Sequence, residues 1–212
     1  MTTKATTQNH STTHATIYFI TITGVLTAVA AVLQYLEFPV PVMPGFVKFD
    51  FSDLPAILAA FLVSPVSGVL VCLLKNAIHF FAASQSAGVG ELCNFILGAA
   101  MVIPAWLIYR IKPTKKLALI AMIAGSLVTA IVSVFVNYYI TYPFYQNTFH
   151  MPIDAIISAY NELPGGIGSG VATLWDALIL FNAPFTFIKF MIDSLIVFFI
   201  YKPLKKAVSK NN

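Results

Sequence analysis

The sequence has few charged residues. Asp, Glu, Lys and Arg make up only 9% of its 212 residues, whereas 58% are hydrophobic and the mean hydropathy is +0.84. Soluble domains carry about 25% charged residues, so this chain cannot cover a water-exposed surface with ions. The composition excludes a soluble globular protein, and the long apolar runs predict an all-α integral membrane protein.

The sequence also lacks the motifs of common enzymes. It contains no G-x-x-x-x-G-K-[ST] loop for nucleotide phosphates, no H-E-x-x-H and no G-x-S-x-G. The glycines between positions 165 and 170 follow no strand and precede no lysine, which predicts a flexible loop. Cys72 and Cys93 lie in apolar runs without paired spacing, so we interpret both as buried small residues. We therefore expect no enzymatic activity, no resident cofactor and no metal site.

Six apolar runs predict the membrane architecture. They cover residues 16–36, 54–63, 66–83, 92–111, 117–139 and 185–201. A hydrocarbon core of roughly 30 Å takes about 20 apolar residues per helix, so the second run is short and needs shielding by its neighbours. We predict six transmembrane helices in a domain spanning residues 16–206, between polar cytoplasmic tails at 1–15 and 207–212. Residues 142–184 are interpreted as a loop with a short interfacial helix near 171–180, not as a seventh span.

The basic residues predict the orientation, because cytoplasmic flanks are enriched in Lys and Arg. If both termini face the cytoplasm, nine of the twelve basic residues lie on the inner side. These nine are Lys4, Arg110, Lys112, Lys115, Lys116, Lys202, Lys205, Lys206 and Lys210. The net charge of +4 thus reflects the flanks of the spans, and we expect the lipid bilayer as a partner and no nucleic acid.

Ionisable and amide side chains within the spans are few, and burying them in a membrane is costly unless they are paired or hydrated. They include Lys75, Asn76 and His79 on the third span, Glu91 and Asn94 at the start of the fourth, Asn137 on the fifth, and Lys189 and Asp193 on the sixth. Apart from Asp193, all lie in the outer half of the predicted bundle, so we expect them to converge on one pocket that opens outward. Structural roles stay open: Lys75 pairing with Glu91, Asp193 neutralising Lys189, and the asparagines joining helices.

The first span carries small residues at helical spacing. Gly24 and Ala28 form one small-xxx-small pair, and Thr27 and Ala31 form another. Such pairs let another helix approach closely. The partner helix is either internal or belongs to another protein, and in the second case Gly24, Ala28 and Ala31 form the docking surface.

Several segments together resemble a known family. They are VKFDFSDLPAILAAF (47–61), LLKNAIHFF (73–81), GVGELCNFILG (88–98), APFTFIK (183–189) and LIVFFIYKPLKK (195–206). In combination they resemble the riboflavin-specific S components of bacterial energy-coupling factor (ECF) transporters. The resemblance extends from the first helix to the last. It departs from the family pattern at Thr186, where an Asn is usual, and at Gly24, where the family has Ala.

The resemblance implies a six-helix S-component fold in the cell membrane. Such a subunit captures riboflavin outside as a transported substrate and docks on a transmembrane coupling protein with two cytoplasmic ATPases. The first outer loop would act as a lid. The flat dimethylbenzene end of the flavin suits apolar residues near that loop, namely Leu36, Val42, Met43 and Phe46. The polar ring edge and the ribityl chain would contact Lys75, Glu91, Asn94, Asn137, Thr186 and Lys189.

Other functions stay open at this point. An S component for another vitamin or for a phosphorylated flavin would share the same architecture. A small membrane enzyme or assembly factor is a further alternative, which the missing nucleophile and acid–base pair disfavour.

Overall fold

The protein is a bundle of helices with one minimal hairpin. The computed structural model describes residues 3–209, with side chains for residues 13–206. The elements are α1 Thr3–Tyr35, β1 Phe38–Pro39, β2 Lys48–Phe49, α2 Leu54–Leu62, α3 Pro65–Ala83, α4 Val89–Tyr109, α5 Lys115–Val136, α6 Tyr142–Thr148, α7 Ile153–Asn161, α8 Leu174–Ala177 and α9 Ala183–Ser209. Strands β1 and β2 pair antiparallel within the loop that joins α1 to α2.

Polar caps define where several helices begin. The Ser64 hydroxyl accepts a hydrogen bond from the amide of Ser67 at the start of α3, and Pro65 occupies the first helical position. Thr114 caps α5 through the amide of Leu117. Thr173 and Asp176 form a reciprocal capping box at the start of α8.

Five helices of the described residues are long and apolar enough to cross a membrane. They are Thr13–Tyr35, Pro65–Ala83, Val89–Tyr109, Lys115–Thr148 and Leu174–Lys206. The all-α membrane class is therefore confirmed. Helix α2 has nine residues and is about 14 Å long at 1.5 Å per residue, which is shorter than the hydrocarbon core. The predicted count of six spans is thus not confirmed.

The predicted long loop between the last two spans is largely helical, so that prediction is wrong. Helices α6 and α7 lie within it, and the last helix begins at Leu174 instead of Phe185. The predicted interfacial helix near 171–180 is the first part of this last helix. Helix α1 likewise begins at Thr3, within the predicted polar tail.

Two π-helical segments explain why prolines misled the sequence-based boundaries. Asn137–Thr141 joins α5 to α6, and Leu178–Asn182 joins α8 to α9. A proline, Pro143 or Pro184, follows each segment by two residues. Proline donates no backbone hydrogen bond and clashes with the carbonyl four residues earlier, and both of those carbonyls lie inside a π-helical segment. The wider turn therefore lets each helix continue through its proline.

The core has two main parts along the bundle. One part, around Tyr142, Ile156 and Tyr160, packs α6 and α7 against α8. The other, around Met101, Phe190 and Val197, packs α4 and α9 together with α2 and α5. Close helix packing depends on small residues such as Gly98, where an added Cβ would lie 2.6 Å from the Cys72 sulfur. Cys72 and Cys93 are free and buried, as predicted.

Candidate binding pocket

A cavity of about 340 Å³ is lined by residues of α1, α3, α4, α6 and α9, by the π-helical segment Asn137–Thr141 and by the loop that carries β2. Pockets for small ligands typically measure about 300–1,000 Å³ and combine apolar walls with a few placed polar groups. Of the predicted site residues, this cavity is lined by Phe46, Glu91, Asn94, Asn137, Thr186 and Lys189. The structure thus brings together side chains from four separate parts of the sequence.

Two lysines and two aspartates form an ionic cluster in the wall of the cavity, and only Lys75 lies behind the lining residues. The Lys75 Nζ lies 2.6 Å from Asp53 Oδ1, and the Lys189 Nζ lies 2.9 Å from Asp50 Oδ2 and 3.1 Å from Asp53 Oδ2. Lys75 is fully buried, and its ammonium group also donates to the Ser52 hydroxyl at 2.5 Å. Because Asp53 bridges both lysines, the loop before α2 is fixed to α3 and α9 at once.

The Asp50 carboxylate is buried but stays ionised. Burial by itself raises the pKa of this carboxyl, but the ammonium groups of Lys189 and Lys75 outweigh that effect and hold the pKa below its usual 3.8. The backbone amide of Ser52 donates a further hydrogen bond to Asp50 Oδ1 at 2.7 Å. Asp50 therefore serves as a permanent counterion for Lys189.

A second charged group lies at the junction of α3 and α4. The His79 Nδ1 is 2.8 Å from Glu91 Oε1, while the hydroxyls of Ser84 and Ser86 donate to Glu91 Oε2 at 3.1 and 2.8 Å. Lys75 therefore does not pair with Glu91, which was one of the structural roles left open by the sequence. Lys75 pairs with Asp53 from the loop before α2, and Glu91 pairs with His79.

Polar groups without internal partners face the cavity. The carboxamides of Asn94 and Asn182 line it, and neither forms a side-chain hydrogen bond with any residue that the structure describes. Asn137 donates to the backbone carbonyl of Ser133 at 2.9 Å, so one of its two donors is already used. The cavity therefore offers amide donors and acceptors to a ligand.

Aromatic side chains form much of the apolar wall. Phe46 lies edge-to-face against Tyr142 and Tyr160, with ring centroids 6.2 and 6.3 Å apart. The hydroxyls of those tyrosines are 2.9 Å apart, and burial raises the pKa of Tyr160, on α7, to about 12. Phe185 contributes a further wall from α9. These neutral rings give a flat ligand an apolar surface beside the amides.

Four predicted contact residues lie away from the cavity. Leu36 is 64% and Val42 is 48% exposed, and Met43 is buried in the core around Tyr142 and Tyr160. Lys75 lies behind the cavity wall, held by Asp53. The ionic cluster thus explains Lys75 as a support for the loop that lines the pocket.

Asp193, considered from the sequence as the neutralising partner of Lys189, forms no direct ion pair with it in the described structure. Lys189 pairs with Asp50 and Asp53 instead. Asp193 is fully buried, and neither of its carboxylate oxygens has a hydrogen-bond partner among the described residues. The adjacent Ser194 hydroxyl is also buried and without a partner there.

Sequence reasoning missed several residues that line the cavity. The carboxylates Asp50 and Asp53 lie in a loop, and Asn182 lies in a segment interpreted as loop, so none counted as a membrane-buried polar group. The short spacing of Asp50 and Asp53 just before an apolar helix was the available signal. Within the described residues, no group of three or more His, Cys, Asp or Glu side chains could hold a metal ion.

The small residues of α1 divide between two faces. Gly24 and Ala28 are exposed, and an added Cβ on Gly24 would have no neighbour within 4 Å in the described structure. Thr27 and Ala31 are buried inside the chain, with the Ala31 side chain only 7% exposed. Of the predicted docking residues, only Gly24 and Ala28 are therefore open to another protein.

Comparisons with known proteins place these features in context. A family model described as "ECF transporter, substrate-specific component" matches residues 18–201. The riboflavin transporter RibU of Staphylococcus aureus is 33% identical over 88% of this chain and 90% of its own length. The riboflavin transporter FmnP of Bacillus subtilis is 33% identical over 63% of this chain and 71% of its own length.

A solved structure supports the same fold. It is described as "Structure and mechanism of the S component of a bacterial ECF transporter" and superposes with a TM-score of 0.71 at 27% identity. The alignment covers 91% of this chain and 98% of that one.

Proposed function

The chain belongs to the substrate-specific components of ECF transporters, and from this premise we propose that it binds riboflavin outside the cell and delivers it inward. The relatives named above are riboflavin transporters at 33% identity. Riboflavin is the transported substrate in this proposal, and the protein itself is not an enzyme.

The observation that carries the proposal is the mixture of unpartnered amides and aromatic walls in one cavity. The pyrimidine edge of the isoalloxazine ring presents an acceptor, a donor and an acceptor in a row. A carboxamide such as that of Asn94 both donates and accepts, so it can pair with this edge. The flat apolar end of the ring matches Phe46 and Phe185, which line the same cavity.

The charge of the cavity favours riboflavin over a phosphorylated flavin. Four carboxylates and two lysines line it: Glu37, Asp50, Asp53 and Glu91 against Lys48 and Lys189. Both lysines are already paired, Lys48 with Glu37 and Lys189 with Asp50 and Asp53. A phosphate group therefore finds no unpaired lysine among these lining residues, whereas the neutral ribityl hydroxyls can donate to the carboxylates.

The energy for uptake is proposed to come from partners. We expect a transmembrane coupling protein and two cytoplasmic ATPases, in the cell membrane of a bacterium, with both termini of this chain in the cytoplasm. Gly24 and Ala28 on α1 support such docking because they are small, exposed and one turn apart.

Fluorescence titration tests the proposed substrate. The subunit purified in detergent from cells grown without added riboflavin should quench flavin fluorescence at one riboflavin per chain, and flavin mononucleotide should bind more weakly. Protein purified from riboflavin-fed cells should be yellow. Absence of riboflavin binding, together with tight binding of another vitamin, would contradict the proposal and favour an S component of different specificity.

A further inference from the structure

Asn182 is a buried carboxamide in the wall of the cavity. Its side chain is 4% exposed and lines the pocket. No residue that the structure describes forms a hydrogen bond with this carboxamide. A buried amide is costly unless it is hydrogen-bonded, so a ligand group that pairs with the Asn182 carboxamide contributes to affinity.

The local backbone explains why this side chain reaches the cavity. Asn182 is the last residue of the π-helical segment Leu178–Asn182, directly before α9. It precedes Thr186 by four residues and Lys189 by seven, and this spacing places all three on one face of the helix. All three line the same cavity. The cavity-facing stripe of α9 thus continues one turn towards the N-terminus, into the π-helical segment.

The chemistry of Thr186 leaves a position for a carboxamide. A threonine hydroxyl has one donor and is held close to the backbone, whereas an Asn side chain offers two donors and an acceptor in one plane. The face of α9 that lines the cavity therefore has a hydroxyl at position 186 and its carboxamide one turn earlier, at Asn182.

We propose that Asn182 is a specificity-determining ligand contact, which pairs its carboxamide with the donor–acceptor edge of the flat ring. Its Oδ1 accepts from the ring N3–H, and its Nδ2 donates to a neighbouring ring carbonyl. This proposal rests on riboflavin as the ligand. It assigns to Asn182 the paired hydrogen bonds that Thr186 cannot form.

The test compares Asn182→Leu with wild type for two ligands, riboflavin and N3-methylriboflavin, which lacks the ring N–H. The variant should bind riboflavin about 5- to 150-fold more weakly, as expected for loss of a buried hydrogen-bonded pair. It should also lose most of the wild-type preference for riboflavin over the N3-methyl analogue. Asn147→Leu, an exposed Asn on α6 outside the cavity, is the matched control and should behave as wild type.

Each outcome has a separate meaning. Unchanged riboflavin affinity in Asn182→Leu overturns the assignment, and so does weaker binding with the preference for riboflavin unchanged, since that indicates a structural role. If Asn182→Leu does not elute as a folded monodisperse protein, Asn182→Ser is measured with the same two ligands and the same criteria. If wild type itself does not bind riboflavin, the proposed function fails and this proposal fails with it.

Discussion

At the scale of residues, the buried ionisable groups near the pocket differ in whether they have partners. Lys75 and Lys189 pair with Asp50 and Asp53, whereas Asp193 is buried without a hydrogen-bond partner in the described structure. Breaking one partner of a buried pair is strongly destabilising because it leaves an uncompensated charge. Replacing a carboxyl group that has no hydrogen-bond partner breaks no such pair, so we expect no loss of stability.

We therefore expect substitutions of Asp53 and Asp193 to have opposite effects on stability. Asp53→Asn removes the carboxylate that bridges Lys75 and Lys189, and we expect a loss of about 3–5 kcal/mol of stability. Asp193→Asn keeps the shape and replaces a carboxyl group that has no hydrogen-bond partner in the described structure, so the melting temperature should stay equal or rise. Thermal unfolding of both purified variants in the same detergent at pH 7 measures the difference. A large loss of stability in Asp193→Asn would show that Asp193 has an essential partner.

The two amides at positions 94 and 137 should differ in their effect on ligand affinity. Asn94 has no side-chain partner in the described structure, so Asn94→Leu should cost about 1–3 kcal/mol of riboflavin binding, which is roughly 5- to 150-fold in Kd. Asn137 already donates to Ser133, so Asn137→Leu should cost less. Titration of both variants beside Asp154→Ala, an exposed control on α7, checks the order. Equal small effects in all three would mean that the ligand binds elsewhere.

The sequence could predict which spans carry site residues, but not the partners of those residues. Glu91, Asn94 and Lys189 stand out because polar groups are rare in apolar runs. The partner of Lys189 is Asp50, which is 139 positions away in the chain, and no periodic pattern connects the two. Lys75 was assigned to the ligand for the same reason, because only the folded structure shows Asp53 beside it.

At the scale of elements, the loop between α1 and α2 covers part of the cavity. Residues 45–48 of this loop line it, and Lys48 contacts both Glu37 in the same loop and the Gln85 side chain between α3 and α4. The Lys48 and Glu37 side chains are less than one third exposed. These contacts fasten the loop across the junction of α3 and α4.

Lys48→Met should loosen this loop and speed ligand release. Because partly exposed ion pairs are worth at most about 1 kcal/mol, the riboflavin dissociation rate should rise about 2- to 5-fold with a smaller change in association rate. Stopped-flow fluorescence measures both rates, and Lys206→Met at the far end of α9 is the control. An unchanged dissociation rate would show that the loop is held by its apolar contacts alone.

The two π-helical segments account for most of the error in helix boundaries. A sequence pattern predicts a helix break before proline, yet α5 and α8 continue through Pro143 and Pro184 by way of wider turns. No composition signal distinguishes a π-helical turn from an α-helical one. The long apolar runs of α3 and α4, which contain no π-helical turn, were predicted to within a few residues.

At the scale of the whole molecule, the distribution of charge predicts the topology. Basic residues cluster at Arg110–Lys116 and at Lys202–Lys210, which the positive-inside rule assigns to the cytoplasm. We expect a single cysteine at position 48 to react with an impermeant maleimide in intact cells, and one at position 112 to react only after permeabilisation. The background carries Cys72→Ala and Cys93→Ala. Labelling at position 48 only after permeabilisation would show that this loop faces the cytoplasm and that the predicted orientation is wrong.

The same topology separates the binding site from the docking surface. The cavity is lined largely by α4, α6, α9 and the loop before α2, and α1 contributes only Gln34 near its end, whereas Gly24 and Ala28 lie on the exposed face of α1. A bulky residue in a close-packed small-residue contact forces the helices apart and removes their dispersion contacts. Damage at this face should therefore affect transport without affecting ligand capture.

Ala28→Trp tests this separation. A loss of about 1.4 kcal/mol of docking energy weakens association with the coupling protein tenfold, so ATP-driven riboflavin uptake should fall while the purified variant keeps wild-type affinity. Leu127→Trp, on the exposed face of α5, is the matched control for adding a large side chain to a lipid-facing helix. Parallel loss of binding and uptake in Ala28→Trp would show that this face packs inside the subunit. Normal uptake in Ala28→Trp with reduced uptake in Leu127→Trp would place the docking surface on α5, because a large side chain reduces uptake only on the face that contacts the coupling protein.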